Sequence, residues 1–267
     1  MTANRARRAG AALALLGLVV FATSGSASAS AAPAHLAASF GPDARLGQPT
    51  SLRLQLSISR RLPSPVTRIR IRYAQGLEIA TSGLVLDECR RPPEDFARVM
   101  IPLTGRAACP ANSVIATGTA DGEVRLDTLT IRQTALMTIL AGPLQPGQLQ
   151  LVGLVEGVNP FGVLLAYSGA LTPARPPYGG AISISLPPIP DLPYADASVA
   201  LLGVDATIAA STIRYRRTVA GKVRRYRPDG IGLPSRCPAA GMRFRGDFVF
   251  ADGTTASAKA RAPCPPR

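Results

Sequence analysis

Leu52, Leu54, Leu56 and Ile58 alternate with polar residues, the period-two pattern of a strand buried on one face. Ile69, Ile71 and Tyr73 alternate with Arg68, Arg70 and Arg72 in the same way, and Ile182, Ile184 and Leu186 with Ser183 and Ser185. Residues 130–140 and 149–158 are more continuously apolar, which predicts strands covered on both faces. Residues 199–208, 213–226 and 242–262 add further strands. Turn chemistry separates them at Ala141-Gly142-Pro143, Gln145-Pro146-Gly147, 176–180 and 187–193. Many short strands punctuated in this way predict an all-β fold, an antiparallel β-sandwich. One short helix is expected over 92–99.

The first 31 residues follow a different rule. Arg5, Arg7 and Arg8 precede an unbroken apolar run from Ala11 to Ala22, and the small-residue triplets Ala27-Ser28-Ala29 and Ala29-Ser30-Ala31 follow. That order is a cleavable secretory leader, and the run of about a dozen residues is shorter than the roughly 20 that a spanning helix needs. The expected mature protein is therefore residues 32–267, secreted or extracytoplasmic, read as one large β domain; a division into two would fall near 172–180.

Charge narrows the partners. The chain has 30 basic and 16 acidic residues, and removing the three leader arginines leaves an excess of 11 positive charges. Such a balance in an exported protein draws it to polyanions, here an anionic envelope polymer or lipid surface, while export argues against a genomic nucleic-acid target. With no Trp and 5% aromatics, the core rests on aliphatic side chains.

Cys89, Cys109, Cys237 and Cys264 make an even set, which in an exported chain predicts two disulfides. Three connectivities exist; the preferred one is Cys89–Cys109 with Cys237–Cys264. Met242, Phe244, Gly246, Phe248 and Phe250 line one strand face, Asp252-Gly253 reads as a two-residue turn, and 254–262 is the return strand. The second disulfide would close the open end of that hairpin.

A second hairpin is the most distinctive local feature. Residues 212–227 hold Arg214, Arg216, Arg217, Lys222, Arg224, Arg225 and Arg227 with no acid. A two-residue loop at Ala220-Gly221 would set arginine directly against arginine, which destabilises a sheet. The expected register therefore uses a three-residue loop over 219–221, placing Tyr215 opposite Arg225 and Arg214 opposite Tyr226. Its functional reading is an anion-binding ribbon, since guanidinium grips phosphate or carboxylate through two donors. The alternative is a solvated edge whose charges block aggregation.

Much catalytic chemistry lacks its residues. His35 is the single histidine, and it falls in what reads as a mobile stretch just past the leader. That argues against triads, Cys–His pairs and histidine metal sites, and no cofactor motif is present. Paired carboxylates stay open as a hydrolase alternative. The candidates are Asp87, Glu88, Asp121, Glu123 and Glu156; Asp121-Gly122 reads as a turn, and Glu156 lies within an apolar strand.

Three blocks carry a resemblance: Gly83-Leu-Val-Leu-Asp-Glu-Cys89; Cys109-Pro-Ala-Asn-Ser113 with Gly118; and Leu233-Pro-Ser-Arg-Cys-Pro-Ala-Ala-Gly241 running into Phe244 and Phe248-Val-Phe-Ala-Asp-Gly253. Over roughly residues 80–265 the chain resembles a group of exported, β-rich proteins of high-GC actinobacteria with no assigned activity. The resemblance implies export and disulfides, and it brings no site residues.

Overall fold

The computed structural model describes residues 33–59, 65–79, 87–92, 108–126, 129–157, 159–160, 162–186, 197–239 and 241–267. The leader, the 187–193 turn cluster and all but the first residue of the expected helix lie outside the described residues. No helix among the described residues is long and apolar enough to cross a membrane.

Eleven strands form one antiparallel sheet: β1 (Ala34–Phe40), β3 (Leu52–Ile58), β4 (Val66–Ala74), β6 (Val114–Leu126), β7 (Leu129–Gln145), β8 (Gln148–Gly157), β9 (Val163–Pro173), β10 (Tyr178–Ser185), β11 (Ala197–Ile208), β15 (Met242–Phe250) and β16 (Thr255–Ala262). Their spatial order is β1-β3-β11-β6-β7-β8-β9-β10-β4-β15-β16. The two end strands, β1 and β16, lie beside each other. The expected sandwich is thus replaced by a single, nearly closed, barrel-like sheet. In an antiparallel sheet an odd number of strands leaves its two edges running parallel, and no ladder joins β1 to β16. A small sheet of β2 (Pro49–Thr50), β5 (Glu78–Ile79) and β14 (Ile231–Gly232) accompanies it. The strands β12 (Tyr215–Val219) and β13 (Lys222–Tyr226) form a separate two-stranded ribbon.

Alternation decides which face goes in. Leu36 of β1, Leu54 of β3, Ile71 of β4 and Phe244 and Phe248 of β15 are buried together inside the wall. Their polar neighbours Arg53, Gln55 and Arg243 face out. Apolar in and charged out is the reverse of a lipid-facing barrel. Aromatic rings fill the space above glycines: a Cβ on Gly246 would lie 2.8 Å from Cζ of Phe248, and one on Gly153 would run into the Tyr167 ring.

Three sequence expectations change here. Asp121 and Gly122 are no turn; β6 runs straight through them, and the irregularity sits on β11 between Leu201 and Gly203. Ala141-Gly142-Pro143 is no turn either but a bulge within β7. His35 lies in β1, paired with Ser57, rather than in a mobile tail. Residues 172–180 end β9 and begin β10 within the same sheet.

Both hairpin registers also differ from expectation, in opposite senses. β15 and β16 pair Met242 with Ala262, Phe244 with Ala260, Gly246 with Ala258 and Phe248 with Ala256. A two-residue turn would have set Arg261, Lys259 and Ser257 against this face, because cross-strand partners share a side of the sheet. The loop is therefore three residues long, with Gly253 at φ 82° and Asp252 accepting hydrogen bonds from the Thr254 amide (2.9 Å) and hydroxyl (2.7 Å). Both expected disulfides are present: Cys89–Cys109 with Cα atoms 5.1 Å apart, and Cys237–Cys264 at 6.0 Å. They suit an oxidising compartment, and each restricts the unfolded chain by about 3 kcal/mol.

Candidate functional site

The basic ribbon is built on a second apolar cluster outside the wall. Leu140 of β7 and Val152 and Leu154 of β8 point outward, under the Cys89–Cys109 bridge, Ile213 and Tyr215. This is why 130–140 and 149–158 read as apolar on both faces. The Tyr215 hydroxyl donates to the Val114 carbonyl at 2.8 Å, and its ring meets that of Tyr226 edge-on at 5.8 Å. Asn112 clamps the ribbon from the side: its amide donates to the Arg216 carbonyl at 2.9 Å, and its oxygen accepts from the Arg216 amide at 2.9 Å.

This footing sets a register unlike the expected one. Tyr215 pairs with Tyr226, Arg216 with Arg225, Arg217 with Arg224 and Val219 with Lys222. The loop is the two-residue Ala220-Gly221, with φ of 49° and 74°, a pair of left-handed residues that matches strand twist. The one-residue shift to a three-residue loop would relieve most of the charge conflict. It would also send the two tyrosines to opposite faces, and the buried aromatic pair outweighs exposed arginine repulsion.

Arg216, Arg217, Lys222, Arg224, Arg225 and Arg227 are exposed, and among the described residues none has a carboxylate partner. Arg214 is exposed too but folds back, donating to the carbonyls of Ser211 and Ile213. Val219 and Val223 near the tip are also exposed.

The carboxylate candidates are dispersed. Glu88 pairs with Arg90 at 3.7 Å and accepts from the Leu144 amide, and Asp87 is exposed beside it. Glu156 is half-buried on the outer face, opposite Leu136. Glu123 is buried beneath Arg125 (2.7 Å) and Arg132 (3.3 Å). Asp121 accepts from the Thr134 hydroxyl at 2.5 Å. It shares an open groove of about 710 Å³ with His35, Gln55 and Asp205. Asp205, which sequence reasoning did not single out, is held by two donors of Arg53 and by Gln55 at 3.0 Å. Two carboxylates thus meet in one groove, each already engaged.

Arg53, and then Gln55, keeps the Asp205 carboxyl below its ordinary range; Arg125 first, then Arg132, does the same for Glu123. A depressed pKa stabilises the fold above the unfolded value, near pH 4, and the benefit is lost as pH falls below it. Melting temperature should drop from about pH 5 downward, and Asp205→Asn with Glu123→Gln should flatten that acid limb. An unchanged acid limb would mean these pairs contribute nothing to stability, the usual result for exposed ion pairs.

The Arg68, Arg70, Arg72 row, which the sequence presents as one outward strand face, belongs to a wider cationic surface. On the outer wall of β4, β15 and β16, Arg72 pairs with Arg245, Arg245 with Lys259, and Arg243 with Arg261. Arg68 and Arg70 continue the β4 row. Asp247 is the one carboxylate among them, accepting from Arg72 at 2.7 Å and Arg245 at 2.8 Å. The alternation within each strand was visible, but the pairing that joins β4 to β15 spans 175 residues. No metal-binding group of three or more ligands occurs among the described residues. No family model, no curated protein and no solved structure matches this chain.

Proposed function

We propose that this is an exported, non-catalytic protein of the envelope or extracellular space, which binds an anionic partner through the β12–β13 ribbon. One observation carries the reading. The ribbon holds arginine against arginine in two successive cross-strand pairs, with no acid paired to them among the described residues, on a tyrosine footing. Such rows cost stability in the free protein. The two pairs fall on opposite faces of the ribbon, so a polyanion wrapped around it would remove that cost and gain bidentate contacts. The carboxylate-hydrolase alternative draws on the groove at Asp121 and Asp205, but both side chains there are occupied by neighbours.

The test is sedimentation of the mature protein with cell envelopes across a salt series. Binding should collapse as salt rises. Charge reversal at Arg216, Arg217, Arg224 and Arg225 should weaken low-salt retention by about tenfold or more. Retention that survives this reversal would refute the proposal.

A further inference from the structure

We infer that the outer face of β4, β15 and β16 is a second binding surface, distinct from the ribbon, and that its ligand is a linear chain of phosphate groups. Three observations lead there. First, the face is a grid. Cations repeat roughly 7 Å apart along each strand and about 5 Å apart between strands, because side chains on one face recur every second residue. Arg243 stands directly against Arg261, and Arg245 lies between Arg72 and Lys259. Like charges so placed destabilise the sheet. Asp247 is spent on Arg72 and Arg245, which leaves Arg68, Arg70, Arg243, Lys259 and Arg261 without a carboxylate among the described residues.

Second, the arginine row is flanked by short side chains. The neighbouring strand β10 sets Ser185 against Arg68, Ser183 against Arg70 and Ala181 against Arg72. The exposed Ser185 and half-buried Ser183 put hydroxyl donors beside Arg68 and Arg70, while Ala181, beside Arg72, is fully buried. Arg70 Nε is buried and has no hydrogen-bond partner.

Third, the surface does not suit a bilayer. It is the curved outer wall of a nearly closed sheet. The large apolar side chains that are exposed among the described residues are Leu129, Leu136, Leu144, Val219 and Val223, all on other strands. A phosphate chain places one charge or more on every short repeat, matching a dense cation grid. An acidic polysaccharide with one carboxylate per disaccharide spreads its charge more widely.

The chain carries its own reporters. Its two lysines are Lys259 on this face and Lys222 on the ribbon. Acetylation of the intact folded protein, read by mass spectrometry, therefore distinguishes the two surfaces. Linear inorganic polyphosphate should protect Lys259 as strongly when Arg216, Arg217, Arg224 and Arg225 are charge-reversed as in the parent, whatever it does at Lys222. Orthophosphate at equal total phosphate should protect neither. Arg68→Gln, Arg243→Gln and Arg261→Gln together should weaken polyphosphate binding about tenfold and lower its salt slope by about two. The same variant should melt no lower than the parent, because opposed cations are removed. Protection of Lys222 in place of Lys259, or protection of Lys259 that the ribbon reversal abolishes, would overturn the inference. So would equal protection by orthophosphate, or stronger protection of Lys259 by phosphatidylglycerol vesicles than by the polymer.

Discussion

Phe248→Ala should lower the melting temperature by about 10 °C. The Phe248 side chain is fully buried, and its ring lies over Gly246 on its own strand. Leu36 of β1 approaches the same glycine, so this ring joins β15 to the opposite edge of the sheet. Its cross-strand partners are Ala256 of β16 and the buried Ile69 of β4, and the rest of the inner row of β16 is Ala258, Ala260 and Ala262. On the β16 side no alanine is long enough to refill the space. Truncating a buried aromatic costs about 3–5 kcal/mol when the surroundings cannot collapse, and each kcal/mol shifts the transition by roughly 2–4 °C in a chain of this size. Val249→Ala, on the outward side of the same strand, serves as the control and should stay within about 0.5 kcal/mol. A loss below about 3 °C for Phe248→Ala would mean the interior is not built around this ring.

That ring was visible before any coordinates, because Met242, Phe244, Phe248 and Phe250 share one parity. What the strand alone did not supply was its register. The four alanines of β16 carry the information: only a pairing that keeps them on the aromatic side leaves Lys259 and Arg261 in water. An Asp-Gly pair suggests the shortest hairpin turn, but here the inner-face pattern of eight residues outranks the turn preference of two. The ribbon repeats the lesson with the signs exchanged. Repulsion between exposed arginines argued for a longer loop, and the edge contact of Tyr215 with Tyr226 overrode it. Exposed charges repel weakly through water, whereas a misplaced buried tyrosine forfeits its whole apolar contact and its hydrogen bond.

Sheet closure was less accessible still. Each strand announces two faces, and a sandwich and a barrel both satisfy that. The distinction lies in which strands are neighbours, and β11 between β3 and β6, or β4 between β10 and β15, are pairings between strands far apart in the chain. The same blindness hid the second cationic face. Arg70 and Arg245 each look like ordinary outward residues until their strands are laid side by side. The ribbon was legible because both its strands lie within a dozen consecutive residues.

The ribbon's footing leads to the second large effect: Tyr215→Ala should abolish anion binding by the ribbon without altering any charge. Tyr215 is 1% exposed, between the Cys89–Cys109 bridge and the outward leucines of β7 and β8. Removing its ring withdraws the edge contact to Tyr226 and leaves the Val114 carbonyl without its donor. The local cost is about 3–5 kcal/mol. An isolated two-stranded hairpin is marginal in water, so this one, with its opposed arginines, should melt from the wall while the barrel-like sheet stays folded. Tyr215→Phe keeps the ring and loses only the hydroxyl, a cost near 1 kcal/mol. It should retain most binding. Loss of ribbon amide protection in hydrogen exchange, measured beside envelope sedimentation, separates the two variants. If Tyr215→Ala binds as tightly as the parent, charge alone suffices and the braced geometry of the ribbon is irrelevant to its partner. If binding and ribbon protection fall together, then the tyrosine pair, and the register it imposes, presents the arginines to that partner.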